Sequence, residues 1–160
     1  MNRSIPVAIG VLASLLLSAS VFGGGDLSQQ QPLTVRVDLG RDGTEEHKFH
    51  PDQLTFETGK LYKLVIHNPS NSKHYFTSVG LAQKIYTRKV QVMDDIGQGA
   101  KTIAEIKGSV LEVEVYPGGT TEWWFVPVAT GVVTDLHCHI EDKDGKTHAQ
   151  KGMTGKITIL

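Results

Sequence analysis

The stretch that decides the fold is the last one, His137-Cys138-His139-Ile140-Glu141-Asp142-Lys143-Asp144-Gly145-Lys146-Thr147-His148-Ala149-Gln150-Lys151-Gly152-Met153-Thr154-Gly155-Lys156-Ile157-Thr158-Ile159-Leu160. Val132 to His139 reads as a strand ending at Cys138, and Lys156 to Leu160 as a terminal strand. His148 and Met153 fall in the loop between them. Upstream, His74 follows a strand that stops at Asn68 and Pro69. A thiolate, two imidazoles and a weak thioether form the donor set of an electron-transfer copper site. Sulfur donors suit Cu(I) and imidazole also satisfies Cu(II), so such a set tolerates both oxidation states.

Working outward, the rest of the chain has a strand rhythm. Leu33, Val35 and Val37 alternate with polar residues, as a half-buried strand does. Leu54 to Phe56, Leu61 to His67, Val110 to Val115 and Thr121 to Val126 follow, separated by Gly, Pro and Asn turns. In Ala82 to Ala104, Tyr86, Arg88, Val90 and Val92 alternate and could be a strand, but Gly97 and Gly99 break the segment, which reads as an irregular excursion with a helical turn. Seven or eight short strands without a long amphipathic helix indicate an all-β antiparallel sandwich or barrel. In the consecutive Trp123, Trp124 and Phe125, alternation sends one face inward and one outward.

Of 160 residues, 39% are hydrophobic and the formal net charge is -1. That composition supports an ordinary core and lacks the basic footprint of a nucleic-acid binder. Residues 1–22 read as a secretory signal: Asn2 and Arg3, an apolar run from Ile5 to Leu17, then small Ser18, Ala19 and Ser20. Residues 23–32 are a flexible Gly- and Gln-rich lead-in, and 33–160 one domain. Membrane association is expected only through an uncleaved signal. In an exported chain, the single cysteine is an inert core thiol, half of an intermolecular bridge or a functional thiolate. His148 and Met153 ahead of a terminal strand favour the last.

The region from Phe49 to Leu160 resembles the cupredoxins, the family of plastocyanin and azurin. The matching residues are Phe49, Pro51, Leu54, Phe56, Gly59 and Lys60, then Asn68 ahead of His74. Pro117, Gly118, Trp124, Phe125 and Gly131 follow, and the closing run of Cys138, His148, Gly152-Met153 and Gly155-Lys-Ile-Thr-Ile is the specific part. The resemblance implies a Greek-key β-sandwich and one copper ion held by His74, Cys138, His148 and Met153. It also implies an extracytoplasmic protein, in a periplasm or thylakoid lumen, that carries single electrons between redox partner proteins. Such a protein is a monomer, is not an enzyme and has no substrate pocket. His148 would be the ligand nearest the surface and the electron's exit.

Two departures matter. Nine residues separate Cys138 from His148, more than the family's usual gap, and 141–147 is charged and turn-forming, so it reads as a hairpin-like excursion. His137-Cys138-His139 resembles multicopper oxidases, whose flanking histidines bind a catalytic copper cluster. Strand alternation sends both histidines to the face opposite the cysteine. His139 remains a rival to His148 as ligand. Copper delivery or buffering is the alternative function, and a nitrite reductase-like or oxidase-like subunit acting as an oligomer is the third. His47 and His50, beside Glu45 and Glu46, could form an adventitious metal site, but a solvated strand end accounts for them better.

Overall fold

The structure, a computed structural model, describes residues 29–94 and 99–160. The expected signal and most of the lead-in lie outside the described residues. In chain order the elements are β1 (Leu33–Leu39), β2 (Phe49–His50), β3 (Gln53–Phe56), β4 (Tyr62–His67) and β5 (His74–Thr77). A single helical turn, α1 (Val79–Ala82), precedes β6 (Ile85–Met93), β7 (Thr102–Ile106), β8 (Glu112–Val115), β9 (Thr120–Pro127), β10 (Gly131–His137) and β11 (Thr154–Ile159).

These strands form two sheets, ordered β2-β1-β4-β9-β6-β7 and β3-β11-β10-β5-β8, packed as the expected all-β sandwich. Most pairings are antiparallel, but β1 runs parallel to β4 and β3 parallel to β11. The sheets are therefore mixed. Inward positions supply one core: Val37, Leu64, Ile66, Trp123 and Phe125 from the first sheet meet Leu54, Phe56, Phe76, Leu136 and Ile157 from the second. Trp123 and Phe125 are fully buried, and the intervening Trp124 faces out beneath the ammonium groups of Lys63 and Lys89. That is the alternation a strand requires.

The excursion expected over 82–104 resolves instead into the end of α1, the nine-residue β6 and the start of β7. The reason is local. The pairing of β6 with β9 shifts register between Thr87 and Lys89, so the alternation of buried side chains breaks inside one continuous strand. Among the described residues no helix is long and apolar enough to cross a membrane.

Candidate metal centre

Three chain segments meet at one end of the sandwich. The first is the turn after β4, which is built on Asn68. Its buried side-chain amide donates to the carbonyls of Ser72 (2.7 Å) and Val115 (2.8 Å), and its Oδ1 accepts from the Ser70 amide and hydroxyl. Asn68 thus ties the loop to β8 and sets His74 at the start of β5. The second segment is the end of β10, where Cys138 leaves the strand. The third is the turn from His148 to Gly152, whose positive φ of 106° suits glycine and reverses the chain. That reversal lets the Met153 amide donate to the His148 carbonyl at 2.9 Å. Ala149 donates to the Cys138 carbonyl at 2.8 Å and Cys138 to the Met153 carbonyl at 3.2 Å, so the loop is stapled to the strand end.

Within this frame three of the four expected ligands converge. Nδ1 of His74 and Nδ1 of His148 are 3.0 Å apart, and the Cys138 sulfur is 3.3 Å from the His148 nitrogen and 4.0 Å from the His74 nitrogen. A trigonal ion with metal–nitrogen and metal–sulfur bonds of about 2.0 and 2.3 Å would space such atoms by about 3.5 Å (N to N) and about 3.7 Å (N to S). The two sulfur-to-nitrogen distances bracket the second value, and the nitrogen-to-nitrogen distance of 3.0 Å is shorter than the first, so an ion entering would push the two rings slightly apart. All three side chains are at most 1% exposed. Met153 is fully buried in the cluster that contains Cys138, and its backbone bonds both Cys138 and His148.

The far nitrogens of the rings are already occupied. His74 Nε2 donates to Ser70 Oγ (3.0 Å) and His148 Nε2 to Asp142 Oδ1 (3.2 Å). With those protons assigned, each Nδ1 presents a bare lone pair inward. The Tyr75 amide donates to the Cys138 sulfur at 3.2 Å, an orientation that stabilises a thiolate. Burial pushes the Cys138 thiol up, with the Asp142 and Glu114 carboxylates adding to it and the backbone amides of Tyr75 and Ile140 opposing, so the metal-free sulfur is protonated at neutral pH. A bound metal ion reverses that logic and takes the thiolate outright. Burial, reinforced by any charge on His148 and His47, lowers His74 from 6.5 to about 4. Burial also lowers His148. Neutral imidazoles are the form a metal needs.

The excursion at 141–147 is the hairpin the sequence suggests, with Glu141 bridged to Thr147 and the Asp142 amide donating to Lys146 at 3.0 Å. Its effect is to cover and fix His148. The Asp142 carboxylate, held down to about 2 chiefly by the Lys151 ammonium at 2.6 Å, sits over the Nε2 edge of His148. His148 is therefore only 1% exposed. A carboxylate bonded to a metal-ligating imidazole fixes its tautomer and raises its basicity.

His139, the rival ligand, stands outside. Its ring stacks on Tyr75 with centroids 4.3 Å apart, and its Nδ1 lies 3.7 Å from Glu112. His47 departs from both sequence readings, being neither solvated nor paired with His50. Rather than joining a solvated end with His50, which pairs with Glu46 at 2.7 Å, it turns inward and stacks on His148 with centroids 3.8 Å apart. One signal was available: in extended chain, residue 47 shares a face with the fully buried Phe49.

No protein-family model and no curated sequence matches the chain. Solved structures do. A multicopper oxidase from Campylobacter jejuni, titled a metallo-oxidase, superposes with a TM-score of 0.58 at 14% identity, covering 99% of this chain and 34% of that one. A laccase from Pediococcus acidilactici gives 0.51 at 13% identity, covering 100% and 31%. Auracyanin A, titled a "blue" copper protein from Chloroflexus aurantiacus, gives 0.47 at 16%, covering 81% of this chain and all of that one. This chain thus spans about a third of the length of the two enzymes it superposes on. The fold is cupredoxin-like. The expectation that the chain is not an enzyme is overturned by the same finding, because the fold it shares also builds parts of an oxidase and a laccase.

Proposed function

We propose that this chain, whose fold is that of the cupredoxins, holds one copper ion between His74, Cys138 and His148, with Met153 as a weak axial donor, and passes single electrons between redox partners outside the cytoplasm. One observation carries the reading: two inward Nδ1 lone pairs and a buried sulfur converge within 4.0 Å while the second nitrogen of each ring is engaged elsewhere. Copper there would supply a one-electron couple, gaining an electron from a reduced partner and losing it to an oxidised one. The chain's own part is rigidity. Asn68 and Ser70 hold His74, the Tyr75 amide holds the sulfur, and Asp142 with Lys151 holds His148 and keeps water from its edge. A site held in one geometry needs little rearrangement when its charge changes, which suits electron transfer. That same cap speaks for keeping the metal rather than handing it on.

Titration of the purified full chain with Cu(II), followed by visible absorption and spin resonance, tests this. An intense thiolate-to-copper band saturating at one copper per chain, absent in Cys138→Ser and reversibly bleached by a one-electron reductant, is the expected result. Uptake without a thiolate band would refute it. A second reading, a copper enzyme assembled from several copies, is favoured by His137 and His139. Their ring centroids are 6.0 Å apart, and they flank Cys138 on the side away from the buried sulfur. A second copper per chain together with turnover would select it.

A further inference from the structure

His47 is the group the site has not absorbed. It sits in the extended segment before β2, and its side chain is 16% exposed. Its ring lies nearly parallel to His148, at 24° and 3.8 Å, and edge-on to His74 at 5.9 Å. Its Nε2 meets Asp142 Oδ2 at 3.0 Å, while His148 Nε2 meets the other oxygen of the same carboxylate at 3.2 Å. Two stacked imidazoles thus share one acceptor. With the Nε2 proton given to Asp142, the Nδ1 of His47 has a bare lone pair. That atom is buried and has no hydrogen-bond partner.

A buried acceptor left unpaired is unfavourable and calls for a donor or a cation. One nitrogen from each of His47, His74 and His148 lies within 4.8 Å of the others, close enough for one ion to gather once the His47 ring turns out of its stack on His148. The electrostatic setting suits a cation: burial excludes competing water, and the Asp142 carboxylate stands behind two of the three rings. We propose that His47 is a further metal donor, its Nδ1 completing a set of three imidazoles and one thiolate around the ion held by His74, Cys138 and His148. This rests on the copper reading given above. A third imidazole shifts the donor set from soft sulfur towards borderline nitrogen, which favours Cu(II) relative to Cu(I). The shared carboxylate already holds the ring beside the site, so the metal has only to open the stack on His148 and turn the His47 ring towards itself.

The test is a count of coordinated imidazoles by pulsed spin resonance on the full chain loaded with one Cu(II). Wild type is expected to show three. His47→Phe, which keeps the stacked ring and removes both nitrogens, is expected to show two, a more positive reduction potential and about tenfold or weaker Cu(II) binding. Met153→Leu is expected to keep three. A wild-type count of two overturns the proposal without need of any variant, as does a His47→Phe count equal to that of wild type. The two readings fail separately. A wild-type chain with no thiolate-to-copper band refutes the copper site itself, whereas a band with only two imidazoles refutes His47 alone.

Discussion

Acidifying the metal-free chain perturbs His74 more than any other histidine at the site, and the cost follows from its surroundings. The ring is 0% exposed, and burial, assisted by charge on His148 and His47, lowers its pKa from 6.5 to about 4. In the unfolded chain it titrates near 6.5. Between those values the unfolded state binds a proton that the native state refuses, so stability is complete above about pH 6.5, falls as pH drops towards 4, and falls no further below that. At about 1.4 kcal/mol per pH unit over about 2.5 units, the loss is about 3.5 kcal/mol. For a domain of this size that corresponds to about 10 °C in Tm. Thermal unfolding of metal-free wild type and His74→Phe at pH values of about 7.5, 6.5, 5.5 and 4.5 reads it directly. Wild type is expected to lose stability across the window and the variant to lose distinctly less, the remainder coming from His148, whose pKa burial also lowers. A Tm that stays flat in wild type, or falls equally in both, would refute the burial argument.

Three further outcomes are expected. Asp142→Ala strips the acceptor from both His148 and His47, so copper affinity measured by chelator competition should fall about 10- to 100-fold. Ser70→Ala leaves the buried Nε2 of His74 without an acceptor and should cost about 1–3 kcal/mol in urea unfolding of the metal-free chain. Gly155→Ala would set a methyl 2.7 Å from both the Asp52 carbonyl and Leu136 Cδ2, at the junction of β11 with β3 and β10, and should destabilise by about 1–3 kcal/mol.

Much of this was readable from the chain because the chemistry is written in order. Cys138, His148 and Met153 precede a strand whose Ile157 and Ile159 alternate inward, and that arrangement alone announces a loop clamped between two strands. Trp123 and Phe125 likewise followed from period two. What stayed hidden was relational. The bulge at Thr87–Lys89 shifts the inward positions of β6, so Val90 is buried while Tyr86 and Arg88, which alternate with it, are exposed. The parallel pairing of β1 with β4 depends on what lies between them in space, not on either sequence. His47 and Asp142 are 95 positions apart, and neither belongs to the closing motif's ligand types at its ligand spacing. Only folding brings the segment before β2 beneath the hairpin that covers His148. The hairpin itself was legible as a turn, but that Asp142 would be spent on two imidazoles and Lys151 was not.

The claim on which the rest depends is that the sulfur of Cys138 and the Nδ1 atoms of His74 and His148 bind one ion. X-ray absorption fine structure on the copper-loaded chain measures this most directly. The account predicts one sulfur at about 2.2–2.3 Å and imidazole nitrogens at about 2.0 Å. A first shell of only nitrogen and oxygen, with no sulfur at that distance, would contradict it.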